Sequence, residues 1–168
     1  RKLLVTALLT LSTATYAFDL SVGAGGVEEG DDRLRPVGAF MLGLGESFVT
    51  KAFLWGRTYG PVTERSTVIS LNYRFAPLGP SSMMRATMGA VYLSEYTSVE
   101  QGPDAALAAD EVNQANVGMA FGLDWTIPFG PAFLRFNWDS NIFIAGTAGM
   151  LLSTGRKHML SLGTGFRF

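Results

Sequence analysis

From Phe18 to the carboxyl terminus the chain alternates apolar residues with small or polar ones, in segments separated by clusters of Gly, Pro, Asp and Ser. A period of two is the signature of strands, and it leaves little room for any other element. Eight segments are legible: Phe18 to Val27, Val37 to Gly45, Ser47 to Thr58, Thr63 to Phe75, Met84 to Glu95, Asn113 to Thr126, Ala132 to Asn141 and Lys157 to Phe168. The last is the clearest. His158, Leu160, Leu162, Thr164, Phe166 and Phe168 share one face, and Met159, Ser161, Gly163, Gly165 and Arg167 share the other. The sixth sets Val117, Met119, Phe121, Leu123 and Trp125 against Gly118, Ala120, Gly122, Asp124 and Thr126. The fourth and seventh follow suit, while in the third and fifth both faces carry apolar residues and the facing stays open. Only PDAALAADEV, inside a connection, has a helical character.

Alternation does not say which face is inside. A soluble eight-stranded barrel, such as a lipocalin-like carrier, turns its apolar set inward, whereas a bilayer barrel does the reverse. Three features favour the reverse. The less apolar face combines Gly, Ala and Ser with Asp19, Lys51, Arg57, Arg74, Arg85, Asp124, Arg135, Asp139 and Arg167. An eight-stranded bore is only wide enough to be filled by side chains, and tiny residues mixed with opposite charges can fill it as a paired network of Arg74, Arg85, Asp124, Arg135, Asp139 and Arg167. Aromatics gather at segment ends: Phe18, Phe48, Phe75, Trp125, Phe129, Phe166 and Phe168 at one, Tyr59, Tyr92, Tyr96, Trp138 and Phe143 toward the other, as in two interfacial girdles. Connections after segments two, four and six are tight, and those after one, five and seven are long; the short YGPV after segment three is the exception.

The expected fold is therefore all-β, an eight-stranded antiparallel up-and-down transmembrane barrel with its apolar face outward and polar and small residues inside. Composition agrees. The chain has 168 residues, 48% hydrophobic and 16% charged, with no Cys. Its mean hydropathy is +0.23, yet after residue 17 no apolar run is long enough for a helical span. A formal charge of −1 offers no basic surplus to a nucleic acid. Residues 1–17, RKLLVTALLTLSTATYA, have the cationic start, short apolar run and small residues of a secretory signal peptide with cleavage after Ala17, leaving 18–168 as one barrel domain.

These features resemble the family of small eight-stranded bacterial outer-membrane barrels, which includes the membrane domain of outer membrane protein A and outer membrane protein X. The most specific motif is the last strand, HMLSLGTGFRF. The resemblance implies that Phe168, Phe166, Leu162 and Leu160 form the signal read by the barrel assembly machinery. It also implies a porin-like monomer in the outer membrane among lipid and lipopolysaccharide, with long loops outside and both termini periplasmic.

Chemistry is sparse. With a single His and no ligand cluster, no metal and no cofactor are expected, and GAGG at Gly23 to Gly26 precedes no helix that would make it a phosphate loop. A weaker resemblance is to outer-membrane lipid A deacylases, whose penultimate strand carries a His, one residue, then Ser-Asn. Here FNWDSNIF keeps Ser140 and Asn141 but has Trp138 where that His would stand. Ser140 and His158 share the outward face of adjacent strands, within cross-strand reach, so they are the candidate pair for a lipid A-modifying hydrolase. The expected role is otherwise non-enzymatic, structural or surface-interacting, with a filled bore. Acidic connections, Glu95 to Glu111 and Glu28 to Asp32, read as solvated loops, or as bridges through divalent cations to lipopolysaccharide.

Overall fold

A computed structural model describes residues 18–28, 34–78, 83–99, 112–144 and 153–168. The residues read as a signal segment, the stretch PDAALAADE of the acidic connection and the last long loop lie outside them. Eight strands follow one another around a closed antiparallel barrel: β1 (Phe18–Glu28), β2 (Leu34–Leu44), β3 (Phe48–Tyr59), β4 (Val62–Pro77), β5 (Met84–Val99), β6 (Val112–Phe129), β7 (Ala132–Ile144) and β8 (Ser153–Arg167). Closure leaves no sheet edge, which a wall surrounded by hydrocarbon requires. The tight turns are made by glycines in the left-handed region, Gly45, Gly60 and Gly130, with φ of 62°, 56° and 67°. Gly45 and Gly130 define the turn end of the barrel; Gly60 caps a hairpin at the opposite, loop end.

Side-to-side pairing gives the tilt. Starting at Phe18, direct partners run through Leu44, Phe48, Tyr73, Met88, Phe121, Ser140 and His158, and return to β1 at Glu28, ten residues above the start. Such a stagger inclines the strands steeply to the axis and keeps the bore narrow enough for side chains to fill. Curvature this tight explains the inward glycines at the β1–β8 seam. A Cβ on Gly25 would be driven into the carbonyl of Leu160, and one on Gly165 into that of Leu20.

Facing follows the alternation. Leu71, Phe121, Trp125, Leu160 and Leu162 are exposed on the outer wall, whereas Arg135 and Asp124 are 2% and 3% exposed inside. This inverts the arrangement of a soluble lipocalin-like carrier. At the turn end Phe48, Tyr73 and Phe75 pack edge to face along the outer wall, with ring centres 5.5 and 5.3 Å apart.

The expectation of a polar and small interior needs one correction. In β3, Phe53 and Trp55 point inward, as do Val91 and Leu93 in β5, and Phe143, expected in the outer girdle, is buried in the bore. Toward the loop end the bore is an apolar layer that also holds Val27, Val37, Val68 and Met159. Two apolar faces on one segment, as in β3, therefore mark a strand crossing a dry section of bore.

Candidate functional site

The bore is stratified, and each stratum follows from where the inward residues of each strand fall. Nearest the turn end, β1, β4, β6 and β7 contribute Asp19, Arg74, Asp124 and Arg135. Arg74 Nη1 donates to Asp19 Oδ2 at 2.8 Å, and Arg135 Nη2 to Asp19 Oδ1 at 2.7 Å. Across the ring, Arg74 Nε and Arg135 Nε face Asp124 at 3.3 and 3.1 Å, without the alignment of hydrogen bonds. Arg135 also donates to Ser21 Oγ at 3.0 Å. Two guanidinium groups and two carboxylates thus compensate one another along the wall of a turn-end cavity of about 230 Å³.

A second cluster sits one step higher. Lys51 Nζ donates to Asp139 Oδ1 and to Asn137 Oδ1, both at 2.7 Å, and to Thr87 Oγ1 at 3.3 Å. The Asn137 amide in turn donates to Asp139 Oδ2. Charge alone does not single out Asn137 and Thr87, because neutral amides and hydroxyls look alike inside and outside a barrel; their inward parity with Lys51 and Asp139 is the signal in the sequence. Arg85 and Arg167, grouped with the network on parity alone, stay at the turn-end mouth. Arg85 reaches the Glu46 carbonyl at 2.9 Å, and Arg167 lies over the Phe133 ring at 5.3 Å.

Above the apolar layer the bore opens again at the loop end. Arg35, Arg57, Lys157, Glu64 and Glu95 line a cavity of about 460 Å³, with Arg65 and Tyr96 at its rim. Lys157 Nζ donates to Glu95 at 2.7 Å and sits 5.2 Å from the Trp55 ring centre. The β3–β4 hairpin tip projects past the apolar outer belt, and there Arg57 Nε and the Tyr59 hydroxyl both donate to Glu64. The Arg57 hydrogen bond holds the Glu64 carboxyl below the ordinary range, aided by Tyr59 and nearby Arg35. The same bond to Glu64 raises the Tyr59 phenol.

On the outer wall, Ser140 and His158 are direct cross-strand partners. They are not joined by a hydrogen bond among the described residues. His158 instead stacks on Trp138, with ring centres 6.3 Å apart and planes 6° from parallel. No cluster of metal-ligating residues occurs among the described residues. At the carboxyl end, Phe168, Phe166, Leu162 and Leu160 point outward, and the Phe168 N–H donates to the Phe18 carbonyl at 2.9 Å, closing the seam.

No protein-family model and no curated protein sequence matches the chain. Solved structures do. Neisserial surface protein A shares 14% identity over 92% of this chain and 99% of its own, with a TM-score of 0.57. A major outer membrane protein from Thermus thermophilus shares 14% over 91% of this chain and 100% of its own, at 0.59. Ail, the attachment invasion locus protein of Yersinia pestis, solved in complex with the heparin analogue sucrose octasulfate, shares 12% over 90% and 97%, at 0.55. The chain therefore has the fold of the small eight-stranded outer-membrane barrels.

Proposed function

We propose that this chain is a monomeric bacterial outer-membrane barrel that acts from its outward end and does not transport solutes through its bore. The observation that carries the reading is the combination of an apolar outer wall with a bore occupied by two ion-paired clusters and an apolar layer. A wall of this kind is stable only against hydrocarbon. Lipid and lipopolysaccharide surround it, the loop end faces outside, and both termini face the periplasm. The barrel assembly machinery reads the last strand through Phe168, Phe166, Leu162 and Leu160. The role is structural or surface-interacting and non-enzymatic.

Cell fractionation, heat-modifiable gel migration and planar-bilayer conductance test this together. The expected protein is in the outer membrane, migrates differently after boiling and leaves conductance at background. Recovery as a soluble monomer without detergent, or conductance far above background, overturns the reading. The direct pairing of Ser140 with His158 favours a second reading, a lipid A-modifying hydrolase, but the stacking of His158 on Trp138 turns the imidazole to another partner. A mass shift in lipid A that disappears in Ser140→Ala would reverse the order of the two.

A further inference from the structure

Three acidic or basic residues of the described strands face outward, Glu28, Arg65 and Arg156, and all three stand at the loop end of the wall. Arg156 lies two residues from His158 on β8, and the direct partner of His158 on β1 is Glu28, so a carboxylate stands diagonally beside that guanidinium. Arg65 has no such neighbour. Its direct partners are Gly56 on β3 and Tyr96 on β5, and it makes no hydrogen bond or ion pair among the described residues. A Cβ at Gly56 would come to 3.6 Å from Arg65 Cγ, so the arginine stem runs along a notch that the glycine leaves open. Around Arg65 the wall changes character. Toward the turn end, Leu54, Ile69 and Tyr92 are exposed on these three strands. Beyond them the outward positions pass to Thr67 and Thr63 on either side of Arg65, to Ser94 and Tyr96 on β5 and to Thr58 on β3, so hydroxyl groups border the guanidinium on all three strands. The change is confined to one flank. At about the same height, once the stagger is followed around the barrel, Leu34 on β2 and Val117 on β6 are still apolar and are 70% and 58% exposed. A wall that had merely left the bilayer would become polar all the way round.

We propose that this flank binds one phosphorylated glycolipid of the outer leaflet, with a headgroup phosphate on Arg65 and acyl chains along Leu54, Ile69 and Leu71. The proposal rests on the reading that the loop end faces outside, and it adds to that reading one kind of lipid at one place. A guanidinium fork matches the paired oxygens of a phosphate, and at the upper limit of the apolar wall the two meet where little water competes. Three neighbouring strands give the hydroxyl-bearing patch a width of about 10 Å, broader than a glycerol phosphate and suited to sugar rings.

The test uses the full chain refolded in neutral detergent micelles and offered lipid A, phosphatidylglycerol or phosphatidylcholine, with retained lipid counted by native mass spectrometry. Retention of one lipid A per barrel is expected, in preference to either phospholipid. Arg65→Gln should weaken retention roughly tenfold, the worth of one charge-assisted contact, and Arg65→Lys by less, because an ammonium keeps the attraction and loses only the fork. Thr67→Ala combined with Ser94→Ala should weaken it several-fold, and Arg156→Gln, whose cation has Glu28 beside it, should leave it unchanged. Heat-modifiable migration verifies that each variant folds. Retention of no lipid A, equal retention of phosphatidylglycerol, or equal weakening by Arg156→Gln overturns the proposal. Because the chain has no Cys, Thr58→Cys reports orientation. Its labelling by a membrane-impermeant maleimide on intact cells is expected, and absence of label overturns the outward reading and this site with it. Labelled cells together with no retained lipid A remove the site alone and keep the function proposed above.

Discussion

Lys51 is fully buried and its partner Asp139 is 1% exposed, so removing either one strands a charge in the middle of the bore. Breaking a buried pair from one side costs about 3–5 kcal/mol, because the remaining ion keeps its desolvation penalty. In Asp139→Ala the ammonium retains Asn137 Oδ1 at 2.7 Å and Thr87 Oγ1 at 3.3 Å, which points to the lower end of that range. The Asn137 amide loses its acceptor as well, at about 1 kcal/mol. The expected cost is therefore about 3–4 kcal/mol, a shift of more than a hundredfold in the folding equilibrium. Lys51→Met leaves Asp139 with a single neutral donor and should cost a similar amount. The double variant removes both charges, so its cost should fall about 3 kcal/mol short of the sum of the singles. Reversible urea unfolding in lipid vesicles, followed by Trp fluorescence, measures all three. Additive singles, or an Asp139→Ala cost below about 1 kcal/mol, would refute the account of the pair as mutually neutralised and shut off from water.

Gly25→Val should abolish folding, because its side chain collides with the Leu160 carbonyl, whereas Gly38→Val, whose Cβ meets nothing closer than the Leu54 carbonyl at 3.8 Å, should fold; equal heat-modifiable fractions would contradict the curvature argument. Phe168→Ala keeps the backbone bonds to Phe18 and should refold normally in vesicles, yet insert poorly in cells; normal insertion would leave Phe168 as a lipid-facing residue only. Glu64→Gln should let the Tyr59 phenol ionise at lower pH, seen as an earlier phenolate component in ultraviolet titration; an unchanged curve would remove the hydrogen bond from the explanation. Since the Glu64 carboxyl is lowered in the folded chain, its contribution to hairpin stability is present above its unfolded value and lost as pH falls through its folded one. Hydrogen-exchange protection at the β3–β4 tip, corrected for the intrinsic pH dependence of exchange, should fall as pH drops through that acidic interval.

Strand number and closure are legible, and so is the facing of strands whose two faces differ in polarity, because a two-residue period forces it once hydrocarbon surrounds the wall; β3 and β5, apolar on both faces, are the exception. Leu160 and Arg135 can each lie on only one side. What period two does not show is height. Whether Lys51 meets Asp139 or Asp124 depends on the ten-residue stagger, which accumulates across all eight strands and is encoded in no single one. The same limit hides the apolar layer: Phe53, Leu93 and Phe143 lie far apart in the chain, and only the tilt brings them to one level. Ser140 and His158 lie within reach because they are immediate partners, and one pairing suffices to align them. Their lack of a bond is not legible, since it turns on an imidazole rotamer that Trp138 captures.

Asp19 lies in β1, the first strand of the barrel, yet the cations it grips come from β4 and β7. On a seam lined by Gly23, Gly25, Gly163 and Gly165, few side chains interlock to tell one alignment from its neighbour. A slip of one residue would swing that carboxylate out among acyl chains and leave Arg74 and Arg135 stranded; a slip of two would carry it past their reach. The two ends of the chain can thus zip together smoothly and still lock at a single notch, with one acidic residue acting as the key.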